Sequence, residues 1–362
     1  MDPEGDVQAA EVVVPCAELH ATLAFFTERL GFRLDSIFPA DDPSVATVSG
    51  HGLRIRLERG GDGRPGVLRL LCRDPAAFAG GVTTLTAPNG TRIELVDVDP
   101  PIVLPPARPS FVVTRRSGDA PWVQGRAGMR YRDLVPDRQG GRVIASHIQI
   151  PDAGPVPDYV HFHRIRFQMI HCHRGWVRVV YEDQGPPFVL RAGDCVLQPP
   201  RIRHRVLEAA AGTEVVEIGS PANHETCVDY ELRLPTATER RDRVFDGQRF
   251  VRHEAASAEW RAGRRAGFEA RDTGIGEATS GLAEVHVLRR RGPERPEAWR
   301  HEGELLFAFV LRGGATLACE GRAEERLTEG DACVVPSGQE HTWAECDAGV
   351  ELLEVVVAKS AA

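Results

Sequence analysis

Two histidines one residue apart, His161 and His163, are followed by Gln168 and Gly175 in the spacing H-x-H-x4-Q-x6-G. A second cluster, G-x5-P-x4-H, follows at Gly193, Pro199 and His204. Side chains alternate along a strand, so His161 and His163 project from one face and can offer two neutral imidazoles to a single cation. His171 and His173, in IHCHRGW, have the same spacing, but alternation sets them opposite Gln168, Ile170 and Cys172, at a surface or between sheets.

The clusters recur. Gly154, His161, His163 and Gly175 have counterparts 138 residues on at Gly292, Trp299, His301 and Gly313, and Gly193, Pro199 and His204 have counterparts 137 residues on at Gly330, Pro336 and His341. Upstream, Trp122 matches Trp260, and Arg126-Ala127-Gly128 matches Arg265-Ala266-Gly267 at an offset of 139. Residues 111–235 and 249–362 are thus expected to be two copies of one unit, joined by 236–248. Within each, short apolar runs alternate with turn signals, the pattern of a sandwich or barrel.

The elements that carry these residues have to be short strands. The 362 residues include 36 glycines and 26 prolines with only 6% aromatics, a balance that favours many turns. Hydrophobic residues at 42% and charged residues at 27% suit a folded globular chain of two to three domains. A net charge of −8 without a basic block argues against nucleic acid, and no apolar run approaches a membrane span. The acidic start MDPEGDVQAA lacks the positive charge of a secretory signal, and eight cysteines without C-x-x-C suggest reduced thiols, so a cytoplasmic protein is expected.

The two histidine motifs resemble those of the cupin family, whose first motif has two histidines and usually a glutamate and whose second reads G-x5-P-x-G-x2-H. The second copy, with Gly330, Pro336, Gly338 and His341, resembles it too, so the chain looks like a bicupin. The resemblance implies a mainly β fold of two jelly-roll barrels, with His204 on a neighbouring strand facing His161 and His163. A three-imidazole site suits iron(II) first, with nickel, zinc, manganese or copper as alternatives, rather than magnesium or calcium. Gln168 stands where the family has glutamate, so it would bind the metal weakly or orient a ligand while leaving the cation its full charge. That surplus favours an anionic, bidentate substrate. Arg166 beside Gln168 is a catalytic candidate, and Arg201, Arg203 and Cys172 are candidates for holding substrate. In the second copy Trp299 and Leu306 replace the first histidine and the glutamate; His301 and His341 remain, and Glu304 or Glu302 could complete a second metal site.

Residues 1–98 form the front domain. AEVVVPC, a helix-spaced apolar set at Leu19, Leu23, Phe26 and Leu30 closed by Gly31, and the LGF and PNG-x-RIEL signals resemble the vicinal oxygen chelate (glyoxalase-like) family, with a βαβββ-type module and a truncated second one. The family's ligand positions fall on Glu11 and Glu94, a weak pair, so the domain reads as a structural or dimerising cap. Five prolines between 99 and 110 stiffen a linker.

Bicupins with one three-histidine site resemble gentisate-type and quercetinase-type dioxygenases. That implies an iron(II) oxidoreductase taking dioxygen and a hydroxy-aromatic acid, enolate or diketone, as a homodimer on base rates. A non-redox metal isomerase or hydrolase and a non-catalytic small-molecule binder are the alternatives.

Overall fold

The computed structural model describes residues 9–39, 42–60, 63–118, 121–292 and 297–359; most of the acidic start, residues 1–8, lies outside them. The chain divides into two units, residues 1–101 and 102–362. It is mainly β, and no helix among the described residues is long and apolar enough to cross a membrane.

In the first unit, strand Val12–Cys16 leads through helix Leu19–Ala24 to strands Arg33–Phe38, Val45–Gly50 and Leu53–Arg59, which form one four-stranded sheet with the first strand parallel to the last. Leu19, Phe26 and Leu30 are buried against Val48, Ile55 and Leu57, as their helical spacing predicts. A three-stranded sheet of Val67–Cys72, Thr84–Thr86 and Arg92–Asp97 follows, with a helix of only five residues, Pro75–Ala79. Glu11 pairs with Arg54 at 2.6 Å and Glu94 with Arg92 at 2.6 Å, so each carboxylate has a local arginine.

The second unit contains two barrels. In the first, a seven-stranded sheet that includes Ile144–Ile150, Phe167–Arg174, Cys195–Leu197 and Thr213–Ser220 faces a six-stranded sheet that includes His161–Arg164, Trp176–Tyr181, His204–Ala209 and Glu225–Val228. In the second, a seven-stranded sheet containing Ala283–Arg290, Leu305–Arg312 and Glu351–Val357 faces a three-stranded one containing His341–Cys346. The strand that opens each copy is exchanged. Val112–Thr114 pairs with Ala332–Val335 of the second barrel, and Val251–His253, 139 residues later, pairs with Cys195–Leu197 of the first.

Period-two alternation explains the layering. On Phe167–Arg174, Phe167 and Met169 point into a core shared by both seven-stranded sheets, with Val285, Phe307 and Phe309 opposite, whereas Cys172 points into the first barrel's interior. His171 and His173 are on the outward face, as alternation requires, and are buried at the contact between barrels. His173 lies edge-on to Phe309, 5.2 Å between centroids. Both motif glycines are needed for shape. Gly175 turns the chain at φ +73°, where a Cβ would meet Thr213 at 2.7 Å, and at Gly193, φ +93°, a Cβ would meet that of Ala255 at 2.9 Å, just beyond the exchanged strand.

Candidate metal centre in the first barrel

His161 and His163 point inward from their short strand, and His204 opens the adjacent antiparallel strand directly opposite His161. All three are buried. Their ring centroids are 4.2 Å (161–204), 5.3 Å (161–163) and 5.3 Å (163–204) apart, and one ring nitrogen from each lies within 4.8 Å of the others. Among the described residues this is the one group of three potential ligands.

Each ring is anchored through Nδ1. His161 Nδ1–H donates to the Tyr159 carbonyl at 2.8 Å and His204 Nδ1–H to the Ile202 carbonyl at 3.0 Å, while Thr226 Oγ1 lies 3.0 Å from His163 Nδ1. A carbonyl only accepts, so each of these rings has its lone pair at Nε2; that of His161 accepts from Arg126 Nη2 at 2.7 Å. Burial, aided by the Arg126 charge and, for His163 and His204, by the neighbouring rings, pushes all three below the ordinary histidine range, His163 to about 2. Neutral imidazoles are what a transition metal requires, and the set fits iron, nickel, copper or zinc better than a hard oxygen-seeking cation.

His163 and His204 line a 380 Å³ cavity whose other walls are largely apolar, including Ile148, Ile170, Val179 and Leu190. Gln168 lines it too, but its amide donates from Nε2 to Glu217 Oε1 at 2.5 Å. Glu217, Arg126 and His224 also line the cavity and were not singled out from the sequence as site residues. The repeat carried a signal for two of them: Arg126 matches Arg265, and Glu217 matches Glu354 at the same offset of 137 as His204 and His341.

The other candidates lie elsewhere. Cys172 is inward-facing but fully buried beyond the cavity, its Sγ 3.7 Å from the Arg174 carbonyl oxygen; two residues past Ile170 is roughly 6–7 Å further along the strand. Arg203 alternates with His204 and so faces out, stacked 4.3 Å over Phe162 and paired with Asp229 at 3.1 Å. Arg201 is near Asp246 at 3.7 Å and adopts φ +64°, at the position where the second copy has Gly338. Arg166 approaches Glu304 of the second barrel at 3.9 Å. None of these four lines the cavity.

The second barrel does not assemble the expected ligand set. Glu304 is held by Arg142 through two hydrogen bonds of 2.7 and 2.8 Å, away from the histidines. His301 Nε2–H donates to the Val335 carbonyl at 2.8 Å, and Trp299 stands 5.3 Å from the His341 ring. Glu302 is exposed at a wide 970 Å³ cavity. Arg265 crosses this cavity's wall, 4.2 Å over Trp299 and paired with Glu354.

Comparison with known proteins agrees with this architecture. The family model for the cupin domain matches residues 286–356, in the second barrel. An oxalate decarboxylase from Lactobacillus farciminis, solved as a formate complex, is similar with a TM-score of 0.51 and 14% identity, covering 70% of this chain and 89% of its own. A salicylate 1,2-dioxygenase from Pseudoaminobacter salicylatoxidans, solved with gentisate adducts, is similar with a TM-score of 0.51 and 15% identity, covering 70% of this chain and 83% of its own. At these identities the likeness is one of fold. A search of curated proteins finds no match.

Proposed function

We propose that the first barrel is the active site of a mononuclear metal enzyme, an iron(II) dioxygenase of a small anionic bidentate substrate such as a hydroxy-aromatic acid, an enolate or a diketone. The observation that carries this reading is the convergence of His161, His163 and His204, each anchored through Nδ1, beside a small apolar cavity whose wall His163 and His204 form. Iron(II), when bound, would supply Lewis acidity and access to dioxygen chemistry.

The chain's own residues would do the rest. Three neutral imidazoles leave the cation's charge uncompensated, so an anionic oxygen donor of the substrate is the natural complement. Glu217, steadied by Gln168, places a carboxylate in the cavity that can accept a proton from a substrate hydroxyl. Ile148, Ile170, Val179 and Leu190 exclude water from the reacting carbon. The two solved structures are named for enzymes of small carboxylic acids, the class proposed here.

Oxygen uptake tests the reading. Protein purified anaerobically and loaded with iron(II) is expected to consume dioxygen with one of a panel of hydroxybenzoates and 1,3-diketones, and His161→Ala is expected to abolish uptake. The Glu217 carboxylate favours a second reading, non-redox proton transfer at a metal-polarised carbonyl. Turnover of the same compounds with zinc and without oxygen uptake would replace the first reading by this one.

A further inference from the structure

The lone pair that would complete the three-histidine set is already engaged. Arg126 donates from Nη2 to Nε2 of His161 at 2.7 Å and from Nη1 to Oδ1 of Asp158 at 2.7 Å. Asp158 is fixed, its side chain enclosed and its other oxygen accepting from the Val206 N–H at 2.9 Å. The Nδ1–H of His161 is committed to Tyr159, so Nε2 is the ring's single acceptor. One lone pair cannot take both a guanidinium proton and a metal.

What would release it has to reach Arg126 from the cavity, whose wall the arginine forms. A guanidinium gains more from an anionic carboxylate, which it can grip through two parallel hydrogen bonds, than from a neutral imidazole nitrogen. The second barrel shows the same position with a carboxylate in hand, whereas Glu217, the counterpart of that carboxylate in the first barrel, takes the amide of Gln168. There Arg265 pairs with Glu354, and Trp299 replaces the histidine.

We infer that Arg126 is a carboxylate-responsive clasp on the metal site: a substrate carboxylate draws the guanidinium off His161 and frees Nε2, so metal and carboxylate bind cooperatively. This rests on the reading of His161, His163 and His204 as metal ligands. Arg126 is then a specificity-determining residue, selecting ligands that carry a carboxylate beside their metal-binding oxygen. The coupling is reciprocal, since a bound metal leaves Arg126 without its histidine partner and ready for the anion.

Metal-stripped protein titrated with cobalt(II) alone, and with benzoate or benzamide present, tests the inference by absorption without any turnover. Benzoate is expected to tighten cobalt binding by about tenfold, within the usual range of coupling between sites, and benzamide to leave it unchanged. Arg126→Gln is expected to bind cobalt more tightly than wild type and to ignore benzoate. Because that change leaves Asp158 buried without its cation, the double variant R126Q/D158N is measured beside it, with the same expectation. Cobalt binding that is equal with and without benzoate in wild type, or no tighter in both variants, would overturn the clasp while leaving the metal site standing. No cobalt binding in any of the proteins would overturn the metal reading, and the clasp with it.

Discussion

The amide nitrogen of Gln168 lies 2.5 Å from a carboxylate oxygen of Glu217, on the neighbouring strand and inside the first barrel. A carboxylate missing from one strand is thus present on the next, and the two positions are chemically linked.

That link makes Gln168→Glu a severe change. Two carboxylates at hydrogen-bond distance hold a proton between them, so the folded pKa of the pair rises above the unfolded value. Stability is then retained at pH 4 and lost as the pH rises through neutrality. We expect Q168E to unfold at lower urea than wild type by about 1–3 kcal/mol at pH 8, with a smaller gap at pH 4, and Q168E/E217Q to recover most of the loss. A gap that does not change with pH would refute the pairing.

Thr226, at the edge of the same cavity, anchors His163 through Nδ1. Thr226→Val is expected to weaken metal binding by about 10–100-fold, as for other changes behind a ligand, while leaving thermal stability of the metal-free protein nearly unchanged. His173→Ala, whose ring packs against Phe309 between the barrels, is expected to cost stability and leave metal affinity intact. Equal loss of metal in T226V and H173A would contradict the strand-face assignment.

The Arg142–Glu304 pair joins the two barrels and is mostly enclosed. Glu304→Gln removes the carboxylate charge from this pair, and a loss of stability at or somewhat below the roughly 3–5 kcal/mol typical of breaking a buried pair is expected in denaturant melts. Metal content should stay at the wild-type level. A fall in metal content with stability unchanged would restore Glu304 as a ligand.

Acid should loosen the contact between the barrels. Burial raises the pKa of Glu214, but the hydrogen bond from His147 and the charges of Arg116 and Arg174 outweigh it and hold it down to about 2. Burial also lowers His147, whose neutral ring bridges Glu214 at 2.9 Å and Arg132 at 3.0 Å, and Arg132 reaches the Gly330 carbonyl of the second barrel. Both folded values lie below their unfolded ones, so the stability they contribute is present at neutral pH. The histidine's share is lost as pH falls below about 6.5 and the carboxylate's between about 4.3 and 2. Thermal melts across this range should show Glu214→Gln losing less stability on acidification than wild type; parallel curves would rule this network out.

Much of this was legible in the sequence because it is local or repeated. The H-x-H spacing and period-two alternation place His161 and His163 inward and His171 and His173 outward. The same rule, applied to Arg203 beside His204, already turns that arginine away from the cavity. Arg126 and Glu217 are distant from both motifs in sequence, and their matches with Arg265 and Glu354 were the signal available for them, of which the second was not read. The exchange of strands Val112–Thr114 and Val251–His253 left no local trace, because a strand's pattern encodes which face is buried and not which barrel it joins. Glu304 was misplaced for a related reason: its spacing from His301 suits a ligand, but the partner it meets, Arg142, belongs to the other copy.

Metal stoichiometry tests the central claim most directly. Elemental analysis of iron(II)-loaded wild type is expected to give about one ion per chain, unchanged in the second-barrel variant H301A/H341A and close to zero in the first-barrel variant H163A/H204A. Metal that survives H163A/H204A, or disappears in H301A/H341A, would contradict the assignment of the site to the first barrel.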